Sequence, residues 1–231
     1  MTEDDSAIDR SLVSPGDRLQ ARFRKNTSAE IIQRRVIEAE TRSLVQTLED
    51  LEASGDVPRA AALILGARRR FIQGVGKSAA YAQLLTTDLS ATLSNVFLID
   101  GRSLNELAVL SDVRPTDVLV VFSMRRYRAE SHKVAKLFQQ SGGEVIVVTD
   151  SADAPLAQFA TCLIRVQTGS ASYADSPTAV AAVCHLLSTL TTASAKGARR
   201  RLQVRDQISR DLDIYLPESG PPATNDQERA E

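Results

Sequence analysis

Residues Asp117 to Phe122 read Asp-Val-Leu-Val-Val-Phe, an apolar run with almost no polar break. A strand of this kind has no face to give to water, so it must be covered on both sides. Further apolar runs stand at Arg70 to Gln73, Asn95 to Ile99, Glu144 to Thr149 and Cys162 to Val166. Helical patterns alternate with them: a helix that includes Ala60 to Leu65, then Ser78 to Leu93, Ser103 to Leu110, Arg128 to Gln140, and a last long helix opened by Ser176-Pro177. Proline suits the first helical position, where its missing N–H costs nothing. Alternation of this kind, closed by right-handed crossovers, gives a doubly wound sheet. The predicted fold is therefore α/β: a Rossmann-like (flavodoxin-like) five-stranded parallel sheet flanked by helices, in the order 2-1-3-4-5. Ligands of such sheets sit beyond the carboxyl ends of the strands, at the point where strand order reverses. Here that point lies between the loops after the first and third strands.

The loop after the first strand reads Gly74-Val75-Gly76-Lys77-Ser78. The two glycines permit a tight turn and let bare N–H groups approach a ligand. Ser78 falls at the expected helix N-cap, where unpaired N–H groups and the positive end of the helix dipole favour an anion. Lys77 adds a point charge. The spacing is not that of a P-loop, and Ala79 stands where a dinucleotide fingerprint needs its third glycine. Neither a nucleotide triphosphatase nor a dinucleotide enzyme is expected, and no cofactor or metal set is predicted.

Around this core the chain divides into a polar tail (1–25), a connecting helix (26–55), the main domain (56–216) and a second tail (217–231) rich in Pro, Gly, Asn and Glu. The connecting helix starts at Thr27, with Thr27 and Glu30 forming a capping-box pattern. Its stripe of Ile32, Val36, Ile37, Leu44, Leu48 and Leu51 needs a surface to cover it. The mixed-charge stretch Ala198 to Leu216 reads as a surface or bracing helix. Together they predict a homodimer or a higher assembly. A net charge of -1 and a pI near 6.2 leave no footprint for nucleic acid. Arg68-Arg69-Arg70 and Arg199-Arg200-Arg201 read as solvated helix ends. Two cysteines, Cys162 and Cys184, exclude a disulfide framework. An acidic N-terminus and the lack of a long apolar run predict a cytoplasmic protein with no membrane partner.

The ordered signatures resemble those of sugar isomerase (SIS) domains. Gly74 to Ser78 is similar to the family's G-x-G-x-S turn. Asp117 to Glu130 resembles its second signature, a strand followed by S-x-S-G-x-T-x-E. Glu144 to Asp150 with Ala154-Pro155-Leu156-Ala157 resembles the next strand and turn, and Ser176 the serine that starts the last helix. The resemblance spans roughly residues 56 to 200. Within the superfamily it is greatest to the sugar-binding half of RpiR-type transcriptional regulators, whose connecting helix resembles Ile31 to Leu51. The residues ahead of that helix are too few and too polar for a three-helix DNA reader, so no direct DNA binding is expected. The resemblance implies a sensor or regulatory protein that binds a phosphorylated sugar or related anionic carbohydrate derivative.

The second signature departs from the family pattern. Aligned on Ser123 and Glu130, Arg125 replaces the second serine, Arg126 the glycine and Arg128 the threonine. In the family those hydroxyl residues, with the residue matching Ser78, cup a sugar phosphate. Two readings stand. In one, the guanidinium forks bind a more anionic or differently shaped ligand. In the other, they face solvent or a dimer interface and block the pocket. The alternative function, a sugar-phosphate isomerase or lyase, needs a base, for which Glu130 and His132 are the weak candidates. Glu130 also simply complements a helix dipole, and His132 suits a solvated helix face. His185 reads as a packed or edge-of-core histidine. The expected ligand-binding set is Gly74, Gly76, Lys77, Ser78, Ser123, Arg125, Arg126, Arg128 and Ser176.

Overall fold

Every residue of the strand Asp117–Phe122 is buried, because it is the middle strand of the sheet. In the computed structural model, which describes residues 14–23 and 28–216, the strands run β1 (Arg69–Gly74), β2 (Val96–Ile99), β3 (Asp117–Phe122), β4 (Glu144–Thr149) and β5 (Cys162–Arg165). All pairings are parallel, in the order β2-β1-β3-β4-β5. Gly74 pairs with Phe122, so the loops after β1 and β3 leave the sheet side by side.

The helices are α1 (Pro15–Phe23), α2 (Ala29–Ser54), α3 (Asp56–Gly66), α4 (Ser78–Thr92), α5 (Glu106–Leu110), α6 (Ala129–Gln140), α7 (Thr178–Ser194) and α8 (Ala198–Asp211). Alternate strand residues feed two cores. On one face Ile72, Val120, Phe122 and Val148 meet Ile64 of α3, Leu85 of α4 and Val183 of α7. On the other, Phe71, Leu119, Val121 and Val147 meet Val109 of α5 and Val134 and Phe138 of α6. Each such side chain contributes about 1.5–3 kcal/mol on burial. Truncating Phe122, which is fully buried, would remove about 3–5 kcal/mol.

The amino end of the sheet corrects one expectation. Arg69 and Arg70 are strand residues, not a solvated helix end. Arg70 is buried and donates to the carbonyls of Ile64 (2.6 Å), Leu65 (3.0 Å) and Ser94 (3.1 Å). Arg69 grips Asp117 with two bonds, of 3.0 and 2.6 Å, and reaches Asp112 at 2.8 Å. Asp117 is fully buried and also accepts the Arg114 N–H at 2.8 Å. The guanidiniums thus close the carbonyl ends of α3 and the start of β3. Arg199, Arg200 and Arg201 are exposed, as expected.

Helix α2 begins after Ser28, and Thr27 lies outside the described residues. The helix stops at Gly55, whose φ of 69° closes it with an N–H to the Leu51 carbonyl, and α3 starts at once. Only Thr47 and Leu51 of α2 are buried. The Thr47 hydroxyl accepts the Gln167 N–H at 2.9 Å and fastens the helix beside the exit of β5. Ile31, Ile32, Ile37, Val45 and Leu48 remain exposed. The segment read as an N-terminal tail contains α1, so that reading is corrected for residues 15–23. A half-buried ion pair between Arg18 and Asp175, described below, ties this helix to the last loop. Residues 1–13 and 217–231 lie outside the described residues. Cys162 and Cys184 are free and buried. No single helix among the described residues is long and apolar enough to cross a membrane.

Candidate anion-binding site

Both glycines of the turn after β1 are required, for different reasons. A Cβ on Gly74 would lie 2.2 Å from the Ser78 carbonyl oxygen, so only glycine lets α4 fold back against the end of its own strand. Gly76 has φ 65°, the left-handed region that other residues enter at a cost. The turn is tight: Ala79 N–H bonds the Gly76 carbonyl at 3.1 Å and Ala80 N–H that of Lys77 at 3.2 Å. Lys77 is the N-cap and Ser78 the first helical residue, so the cap falls one residue earlier than the sequence suggested. The cap residue is helical in φ and ψ, because Gly76 has already made the bend. The N–H groups of Gly76, Lys77 and Ser78 donate to no group among the described residues. Three bare donors at the positive end of a helix form an anion cradle.

The loop after β3 faces this turn. Ser123 N–H bonds the Val148 carbonyl at 3.0 Å, and the Tyr127 hydroxyl donates to Asp150 at 3.0 Å. These bonds pin the arginine loop across the ends of β3 and β4. Burial, reinforced by the Asp150 charge, pushes the Tyr127 phenol up to about 12. Between the loops lies a cavity of about 300 Å³ lined by Gly76, Lys77, Ser78, Ser123, Arg125, Arg126, Arg128 and Ser176. The expected set therefore gathers in one place, apart from Gly74, which stands behind the turn. The Arg128 guanidinium sits directly over the turn, 3.5 Å from where a Gly76 Cβ would be.

Several lining residues went unnoticed in the sequence: Tyr81, Ser131, Thr168 and Asp175. Ser131 is the telling one. It is buried in the first turn of α6, at the third helical position after the N-cap Arg128, and an N-cap residue and the residue three positions on are neighbours at a helix start. That spacing was the available signal. Ser78, Ser123 and Ser131 are all buried, and none of the three hydroxyls has a protein partner among the described residues. Ser131 thus supplies a hydroxyl from α6 beside a loop that carries arginine at 125, 126 and 128.

Ser176 behaves differently. Its hydroxyl donates to Glu40 of α2 and accepts the Thr178 N–H at 3.2 Å. Glu40 also accepts from Thr178 and, at 3.1 Å, from Ser170. Burial pushes the Glu40 carboxyl up, but the hydroxyls of Ser176, Thr178 and Ser170 and the Lys77 charge outweigh it and hold the carboxyl below its usual range. Ser176 therefore orders the last loop and is not a free donor. Asp175 is the one carboxylate lining the cavity among the described residues. Arg18 of α1 holds it at 2.8 Å, and the Lys77 ammonium donates to its backbone carbonyl. Burial, with the charges of Asp175, Cys184 and Glu40, pushes the Tyr81 phenol up to about 12.

The weak catalytic candidates stand elsewhere. Glu130 is exposed in the first turn of α6. His132 packs edge-on against Phe159, with ring centroids 5.1 Å apart, and neither residue lines the cavity. His185 is exposed, which corrects the reading of a packed or edge-of-core histidine. Its neighbour Cys184 points inward, where burial pushes its thiol up to about 12.

A doubly wound sheet with an anion cradle at its switch point defines a broad class of small-molecule-binding α/β domains. Comparison narrows it: the SIS domain profile matches residues 63–194, and the chain belongs to that family. No curated protein matches the chain. Among solved structures, the sugar isomerase domain of an RpiR transcription factor from Sphaerobacter thermophilus is 24% identical, with a TM-score of 0.69 over 76% of this chain and 96% of that one. The Vibrio vulnificus NanR protein complexed with ManNAc-6P is 16% identical, with a TM-score of 0.62 over 75% and 68%. A Methanococcus jannaschii protein, whose structure infers a function of 3-hexulose-6-phosphate isomerase, is 13% identical, with a TM-score of 0.54 over 79% and 98%. At these identities the likeness is one of fold.

Proposed function

We propose that this chain binds a phosphorylated sugar, or a related anionic carbohydrate derivative, as a sensor or regulatory SIS protein. One observation carries the reading. Three unpaired N–H groups at the start of α4 and three unpaired serine hydroxyls meet at one cavity rimmed by Lys77 and three arginines. A phosphate offers oxygens for those donors and charge for those cations. One of the similar folds is a complex with ManNAc-6P, and another is inferred to act on a hexulose 6-phosphate; both support the ligand class. Likeness to the RpiR and NanR domains supports the regulatory role.

Binding is favoured over turnover by the cavity's contents. Isomerisation needs a base beside the substrate carbon. Glu130 and His132 do not line the cavity, and Asp175 is held by Arg18. A ligand that binds only the folded chain raises its apparent stability. A thermal-shift screen over sugar phosphates should find a stabilising member, and Ser78→Ala should reduce the shift. Release of an isomerised product from any such ligand would overturn the non-enzymatic reading.

The same reading includes self-association. Ile31, Ile32, Ile37, Val45 and Leu48 on α2, with Val204 and Ile208 on α8, leave apolar rows exposed, and a second copy is the partner that would cover them symmetrically. Sedimentation giving a mass near 25.1 kDa at micromolar concentration would overturn it.

A further inference from the structure

We propose that the ligand carries two separate anionic groups: a phosphate held at the glycine turn and a second anion, carboxylate or phosphate, held by Arg125 and Arg126. This rests on the sugar-phosphate reading of the site and goes beyond it. Charge makes the first argument. Lys77, Arg125, Arg126 and Arg128 line the cavity against one carboxylate, Asp175, and Arg18 already holds that carboxylate. Lys77 also faces the Glu40 carboxylate; a phosphate monoester brings at most about two negative charges, so of the three lining arginines at least one stays uncovered. Position makes the second. Arg128 lies over Gly76 and belongs to the turn. Arg125 and Arg126 occupy the loop between Ser123 and Arg128, and no carboxylate pairs with either among the described residues. A planar fork of this kind fits a carboxylate or a phosphate.

Backbone strain makes the third. Arg126 has φ 65°, a conformation costing a bulky residue about 1–2 kcal/mol. Residues held that way cluster at ligand clamps and switches. A loop that merely turned the chain would relax with glycine at this position. The arginine loop instead keeps a cation in a strained place, next to two others of like charge. An anion bound between them relieves that repulsion.

Isothermal titration calorimetry on the full chain tests this with three probes. Glucose 6-phosphate has one anionic group, 6-phosphogluconate adds a carboxylate, and fructose 1,6-bisphosphate adds a second phosphate. At least one doubly anionic probe should bind about tenfold more tightly than glucose 6-phosphate, and which one does so identifies the second group. The double variant Arg125→Gln, Arg126→Gln should erase that difference: the doubly anionic probe should lose about tenfold and glucose 6-phosphate clearly less. Both side chains are exposed, so the variant should keep its fold, which its thermal midpoint checks. Ser78→Ala should weaken all binding probes. Equal affinity for one and two anionic groups, or equal loss for all probes in the double variant, overturns the inference while the sugar-phosphate reading stands. No binding by any probe overturns both.

Discussion

Strand β1 has arginine at its start and the glycine turn at its end, and the two ends handle polar groups in opposite ways. At the start, every buried charge has a partner: Arg70 serves three carbonyls, and Arg69 and Asp117 hold each other through two bonds. At the end, Gln73 is 1% exposed with neither amide atom bonded. Beyond it come three N–H groups, three hydroxyls and two arginines, Arg125 and Arg126, that have no protein partner or carboxylate among the described residues. Buried polar groups are ordinarily satisfied, and one that is not, as at Gln73, disfavours the folded state by about 1–3 kcal/mol. The first end is built for stability. The second is left open, as a binding site must be until its ligand arrives.

The largest test of this contrast is Asp117→Ala. It strips a fully buried carboxylate from Arg69 and from the Arg114 N–H, and denaturant unfolding should show a loss of about 3–5 kcal/mol. Ligand affinity of the folded fraction should be unchanged. A loss below about 1 kcal/mol would mean that the amino end is no clamp. Gly74→Ala comes next. Its methyl meets backbone at 2.2 Å, so strand and helix must part, with about 1–3 kcal/mol lost and the cradle distorted. Gly76→Val should damage binding more than folding, because the strain falls on the turn itself and the side chain presses on Arg128. A folded Gly76→Val protein with full affinity would sink the cradle.

At the open end substitutions should help stability, and this is where the comparison is sharpest. Gln73→Met replaces an unsatisfied buried amide with an apolar chain of similar length and should gain about 1 kcal/mol. Any destabilisation beyond that size would reveal that the amide has a partner. Arg126→Gly relieves the left-handed backbone. Less the greater freedom of an unfolded glycine, its gain should be a fraction of about 1 kcal/mol.

The sheet was legible because β3 has no polar face and the crossover rules leave few orders open. The glycine turn was legible because only glycine tolerates the approach at Gly74. What stayed hidden was long-range pairing of polar groups. Arg69 and Arg70 look like any basic run; their partners Asp112, Asp117 and Ser94 lie some 24 to 48 residues away. Ser176 matched a family position, yet its hydroxyl answers to Glu40, 136 residues distant. No periodicity encodes such contacts. Ser131 is the exception, since its spacing from Arg128 was there to be read.

Glu40 gives the smallest predicted effect, and a directional one. Its folded-state carboxyl lies below the ordinary value of 4.5 because three hydroxyls and Lys77 favour the charged form against burial. A group depressed in the folded state contributes stability above its unfolded pKa and loses it as pH falls through the folded value. The contribution is therefore complete near neutrality and fades below about pH 4. Solvent screening keeps it small, since the side chain is only partly covered. Glu40→Gln retains the shape but not the charge. Wild type should be the more stable of the two near neutrality, and urea midpoints taken from about pH 6 to about pH 3 should converge as the acid is approached. Because Glu40 holds Ser176 and the loop carrying Asp175, ligand affinity should weaken more steeply in wild type than in the Glu40→Gln protein over the same interval, protonation of the phosphate itself at about pH 6 being common to both. Midpoints that keep a constant separation down to about pH 3 would show that α2 holds this loop by packing and not by the carboxylate.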